Sequence, residues 1–307
     1  MDNDCRSTAE DLACTAAEAL MAGDSGRAMP MLAEALRLDP LNAYANILMS
    51  DHSAPGTAKR IQYARDALEG ASRYLGHAII QRPDQRHLTR HVIAALGDHL
   101  TDLGRPRARP RLPQHHADGT SMTALRDFER TQPFHDAWDD MQIRDYLRAL
   151  FALGKALAEG DRPAEAVIHF RELLTQSPWD RFGCAPWLVA ALIRLGMYTE
   201  AEQWVEIYED NSDTGFPSAF WTRLARGLVC IARGEYDEAY EALGHAYDVD
   251  DPTNIVDLLA IGKKPPQGFD LELSDAEIAR SNIWRAFQPT VMAKSIFQDA
   301  IKAACAD

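Results

Sequence analysis

His87 and His91 stand four residues apart in a stretch patterned for a helix, with His99 two turns further on. That spacing stacks two imidazoles on one helical face, where a zinc ion could bridge them. Asp84 or Asp98 would have to supply a third ligand. Arg86 and Arg90 interleave with these histidines, and a solvated polar face accounts for the same residues without a metal. His135-Asp136, followed by Asp139-Asp140, has the residue types of a metal-dependent phosphohydrolase pair. The remaining His and Asp ligands of such a centre are not identifiable, and carboxylates at a helix N-terminus suit the helix dipole. The acidic stretch 210–215 has the polar character of a calcium loop, but the twelfth position, which needs a bidentate Glu, is Trp221. No glycine-rich phosphate loop, no G-x-S-x-G elbow and no H-E-x-x-H occurs. No catalytic residue and no cofactor is therefore assigned. A metal-binding enzyme or enzyme subunit around His87 and His91 stands as the alternative reading.

A second set of residues has the chemistry of recognition rather than catalysis. Arg144, Arg148, Phe151 and Lys155 fall on one predicted helix, Trp187 and Arg194 on a second, and Trp221 on a third. Aromatic and Arg side chains are the usual energetic anchors of protein interfaces. Cations among them suit a partner with acidic groups or a C-terminal carboxylate. The tract 105–111, with four arginines and three prolines within 104–113, will not hold a helix. It is read as a surface loop or linker, 104–120, which could also grip an acidic peptide.

Those anchors need helices to carry them, and the chain supplies helices in pairs. The clearest unit spans 147–178: Leu150, Gly154 and Leu157, a turn at 159–163, then Ala166, Phe170 and Leu173, closed by Pro178. Gly154 and Ala166 are expected at close approaches between helices, with Phe170 filling the gap. The pattern recurs over 182–215 (Leu188, Leu192, Gly196, Ala201, Val205) and over 220–252 (Gly227, Gly234, Ala239, Leu243, Ala246). Near the N-terminus Leu12, Ala16, Gly23, Ala28, Leu32 and Ala35 fit it too, followed by a degenerate pair at 43–50 and 57–75 and a helix over 84–103. A period of about 34 residues with small and large apolar residues at fixed offsets is the signature of tetratricopeptide (TPR) helix pairs. The expected fold is all-α: a TPR-like solenoid, a right-handed superhelix of helix pairs. A helical block over 1–103, the linker 104–120 and a second block over 121–307 divide the chain. Capping helices close it, one opening at Ser274-Asp275-Ala276-Glu277 and running through Trp284, the other over 291–305. The first helices of the pairs would line a concave groove that takes a peptide or helix.

Charge and composition narrow the partners. A net charge of -14 disfavours general nucleic-acid binding, which needs clustered Lys and Arg. The longest apolar run, 187–193, is far short of the ~20 residues that span a bilayer, so no membrane association is expected. The acidic N-terminus has no secretory pattern, and the five cysteines form no C-x-x-C pair. A cytoplasmic protein with reduced thiols is expected.

The region 143–284 resembles bacterial TPR proteins similar to the suppressor of tumorigenicity 7 family. Ile143-Arg144-Asp145-Tyr146-Leu147-Arg148-Ala149 resembles that group's R-P-Y-M-R-A opening, and Ser177-Pro178-Trp179-Asp180-Arg181-Phe182-Gly183 its N-P-N-D-N-Q-G link. Trp221-Thr222-Arg223 resembles its Y-T-R segment, and the stretch from Val256 to Pro265 its P-x-Y-L-L-G-x-K-x-L-P segment. The resemblance implies a TPR scaffold and brings no reaction with it. The expected function is a non-catalytic scaffold or adaptor that holds a protein or peptide. A peptide sensor that hinges at 104–120 is a further alternative. The Lys/Asn/Asn/Lys/Arg clamp of chaperone-tail binders is not matched, since only Lys155 falls near a clamp position.

Overall fold

A computed structural model describes residues 3–81, 141–177, 180, 182–209, 218–249, 259 and 275–304. Among these residues every regular element is an α-helix. In chain order they are α1 (Asn3–Met21), α2 (Ser25–Leu38), α3 (Ala43–His52), α4 (Ala58–Gln81), α5 (Met141–Glu159), α6 (Pro163–Gln176), α7 (Ala185–Arg194), α8 (Tyr198–Glu209), α9 (Ser218–Arg233), α10 (Tyr236–Val249), α11 (Asp275–Ala293) and α12 (Ser295–Ala304). The histidines His87 and His91, the helix expected over 84–103, the pair His135-Asp136 and the tract 104–120 lie outside the described residues.

One backbone device is repeated at the turns that fold the helices into pairs. Gly23, Asp161, Gly196 and Gly234 all take left-handed φ, at 75°, 59°, 74° and 82°. The next residue in each case donates its N–H five residues back: Asp24 to Ala19, Arg162 to Leu157, Met197 to Leu192 and Glu235 to Cys230, at 2.8–2.9 Å. This six-to-one bond is the Schellman stop, which satisfies carbonyls orphaned at a helix end. The second helix starts at once, with the Asp24 carboxylate accepting from Arg27 N at 2.9 Å and Pro163 opening α6.

Within a pair the helices touch through small residues. A Cβ on Gly154 of α5 would lie 2.4 Å from the Phe170 ring of α6, and one on Gly227 of α9 2.6 Å from Leu243 of α10. The expected close approach and gap filler at Gly154 and Phe170 are therefore found in contact. Between pairs, α2 packs on α3, α4 on α5, α6 on α7 and α8 on α9. One core continues from Ile47 of α3 to Ile301 of α12. α1 and α2 meet α3 through a separate core made largely of alanine (Ala9, Ala13, Ala16, Ala28, Ala35) around Leu32.

The C-terminal helices differ from expectation. α11 does not stop near Trp284 but continues through Pro289 to Ala293, and the last helix starts at Ser295 rather than 291. A mid-helix proline normally breaks a helix. Here residues on either side of it, Phe287 and Val291, are fully buried, so packing holds the helix together. α11 lies against α7 and α5, both first helices of their pairs, while α12 packs on α9 and α10. No described helix is long and apolar enough to cross a membrane.

Candidate interaction face

Arg144, Arg148, Phe151 and Lys155 recur at spacings of four, three and four, which places them along one stripe of α5. Glu159 continues that stripe by one more turn. At its N-terminal end Arg144 is partly buried, and Arg148, with two-fifths of its side chain exposed, pairs with Asp145 at 3.3 Å. Phe151 is half-buried, its ring centroid 6.4 Å from that of Phe170 and 5.7 Å from that of Phe182, with Lys155 Nζ 5.5 Å from its own.

At the other end the stripe enters a shared ionic cluster. Lys155 Nζ lies 2.8 Å from the Asp51 carboxylate of α3. Arg60, on α4, has a side chain only 1% exposed; its Nη2 is 3.1 Å from Glu159 and 3.7 Å from Asp51. Arg60 Nη1 donates to Ser53 O at 3.2 Å. From α11, Arg285 reaches Glu159 with Nε at 3.0 Å and Nη2 at 2.5 Å. Burial pushes the Asp51 carboxyl up, but Lys155, Arg60 and Arg285 together hold it below the usual Asp value. Burial lowers the Arg60 pKa, and the neighbouring Arg285 lowers it further against the pull of Glu159 and Asp51.

Beside the cluster, α11 is seated on α7. Trp187, Ala191 and Arg194 of α7 face Ala286, Pro289 and Thr290 of α11 across a small gap, with Ala158 and Pro163 at its edge. The Thr290 hydroxyl donates to Ala190 O at 3.0 Å. Arg194 donates to Ala158 O at 3.2 Å and pairs with Asp161.

Two of the residues expected to anchor a partner, Trp187 and Arg194, are thus brought together, but against the chain's own α11. Trp187 is 1% exposed, between the Phe170 ring on one side and α11 on the other. Trp221 is 3% exposed and stacks edge-on against Tyr208 at 5.6 Å. Both tryptophans are interior residues here, and Lys155 is committed to Asp51. Apolar helix spacing describes a core position and a groove position alike, and the covering helix lies nearly a hundred residues further along the chain. Arg148 keeps two-fifths of its side chain exposed.

Four residues of this region were not among the expected anchors: Asp51, Arg60, Glu159 and Arg285. Arg60 carries a legible signal. It occupies the same helical stripe as Ala64, Ala67 and Ala71, and a cation on an apolar stripe implies buried anions. No group of three metal-ligating side chains occurs among the described residues.

No family model, no curated protein and no solved structure matches this chain.

Proposed function

We propose that this chain is a TPR-like interaction scaffold whose first-helix face holds a segment of a partner protein. The observation that carries the reading is the seat of α11: a helix lies on the first-helix face, held by an arginine–glutamate bond, a hydroxyl–carbonyl bond and apolar contact. A face that accommodates one helix in this way has the shape and polar groups to accommodate another. The repeated Schellman turns and the glycine contacts within pairs support a right-handed TPR-like stack with a concave groove. The motif resemblance to the suppressor of tumorigenicity 7 family is in keeping with that fold. Arg144 and Arg148, at the N-terminal end of the stripe, favour a partner with acidic groups or a C-terminal carboxylate. No nucleic acid or membrane partner is proposed, and a cytoplasmic location accords with this role.

Selection of displayed peptides on the full chain tests the reading. Binders are expected to carry acidic residues and to lose at least ten-fold in affinity on Arg148→Glu. A selection that returns no binder, or only binders indifferent to Arg148→Glu, would falsify the assignment of this face.

A further inference from the structure

We propose that α11 is a displaceable, built-in occupant of the interaction face, and that the stretch it covers takes a partner helix presenting an arginine toward Glu159. This rests on the reading of the first-helix face as the interaction surface.

Charge balance is the first argument. Asp51 and Glu159 bring two negative charges to the cluster; Arg60, Lys155 and Arg285 bring three positive ones. The two carboxylates and the two cations of α3, α4 and α5 are balanced without α11. Lifting Arg285 away leaves Glu159 still 3.1 Å from Arg60, so no buried charge is stranded. Removal of a partner that does strand one is strongly destabilising. The host side of this contact is therefore electrostatically complete, and Arg285 is a guest.

The seat of α11 is also imperfect. Trp187 Nε1 on the host and Trp284 Nε1 on α11 are buried with no hydrogen-bond partner among the described residues. A buried donor left without an acceptor has lost its hydrogen bond to water and gained nothing in return. Pro289 lies inside α11 and has no N–H to give to the helix. Against these stand the buried side chains Ile283, Phe287 and Val291, which hold α11 in place when nothing competes.

What would compete follows from the contacts. The covered stretch offers a carboxylate (Glu159), a backbone acceptor (Ala190 O) and the face of Trp187 beside Ala191. Arg285, Ala286, Pro289 and Thr290 fill these positions. A replacement is a helix with a guanidinium, a small residue directly after it and a hydroxyl five positions on, with apolar residues on the flanking turns. The two ends of the α5 stripe thereby differ: Arg148 suits an anion, Glu159 a cation.

Two measurements on the full chain test this. In amide exchange on the wild-type protein, α11 is expected to exchange at least ten-fold faster than α5 and α7. Equal protection overturns the proposal, because α11 would then be a fixed part of the core. In the second, a labelled peptide of residues 275–294 is titrated against wild type, Ala286→Glu and Thr290→Val. Ala286→Glu, which forces a carboxylate into the apolar seat, is expected to bind the peptide at least ten-fold tighter than wild type. The peptide carrying Arg285→Glu is expected to lose at least ten-fold of that affinity. An Ala286→Glu chain with native helicity that binds no tighter than wild type overturns the proposal. Should that variant not fold, Thr290→Val, expected to bind about three-fold tighter, decides in the same way. Neither failure touches the Arg148 readout, so loss of this proposal and loss of the interaction face itself give different results.

Discussion

Arg60 and Arg233 each meet a glutamate, yet their surroundings are opposite. The Arg60 side chain is 1% exposed and shares Glu159, itself 7% exposed, with Arg285 on a third element. The Arg233 side chain is 27% exposed and meets Glu202 of α8, 38% exposed, at 2.7 Å. The same α8 surface carries Arg171 with Glu200 and Arg226 with Glu209, again as separate, partly exposed pairs. At Glu209 burial raises the carboxyl pKa despite Arg226. The α5–α11 end thus gathers its charges around one buried pair, Arg60 and Glu159, while the α8 surface spreads them over separate, partly exposed couples. Buried charges are costly to strand and exposed ones are not. Energetic leverage should therefore sit at the end where a partner is proposed to act.

The largest effect is expected at Glu159. Glu159→Ala leaves Arg60 buried with Asp51 3.7 Å away as its remaining anion and with Arg285 still nearby. A loss of about 3–5 kcal/mol is expected in urea unfolding of the full chain. A loss under ~1 kcal/mol would erase the contrast between the two regions.

Next is a difference in pH response. Asp51 is held below its ordinary value of 3.8 in the folded chain. Its contribution is present above that value and disappears as the pH falls through the depressed one. Asp180 behaves oppositely. It caps α7, accepting from Cys184 N at 2.5 Å and Ala185 N at 2.8 Å, but burial outweighs these bonds and pushes its carboxyl up to about 7. A carboxyl raised on folding favours the protonated form, so its contribution is full below 3.8 and is lost as the pH rises toward 7. Thermal midpoints of wild type and Asp180→Asn are expected to converge at pH 4 and to separate by pH 7.5, with the Asn variant higher. Parallel curves over that interval would mean the backbone donors alone set the Asp180 titration.

The contrast was only half legible beforehand. Paired helices, their turns and the Gly154–Phe170 contact follow from local spacing, because each depends on residues within one helix pair. The α5 stripe Arg144–Lys155 was legible for the same reason. What covers the stripe was not. Arg285 is 126 positions from Glu159, and no periodicity links them. Trp187 shows why residue type alone misleads: an aromatic on a first helix suits a groove and a core equally, and the distant α11 decides between them. The helix expected to run through Trp284 continues past Pro289 to Ala293, because Phe287 and Val291 are buried on either side of the proline.

Arg285→Met separates the guest from the host within the cluster. It deletes the bonds to Glu159 but also the third positive charge, which disfavours Arg60. The two effects oppose, and the net change in unfolding free energy is expected to stay within about 1 kcal/mol. A loss as large as that of Glu159→Ala would make Arg285 an integral member of the cluster rather than a dispensable one.

Arg233→Ala should produce the smallest change, and it tests the other side of the comparison. The side chain pays rotamer entropy to hold Glu202, both partners are wetted, and the attraction acts through a high dielectric. A loss of about 0.2–1 kcal/mol is expected at low salt. Raising the ionic strength to about 1 M shrinks the screening length to ~3 Å and should remove most of it. The Glu159→Ala loss should persist under the same salt, because ions cannot enter the space around Arg60. If salt attenuates both losses to the same fraction, the α5–α11 cluster is wetter than its burial implies, and the argument for its leverage fails with it.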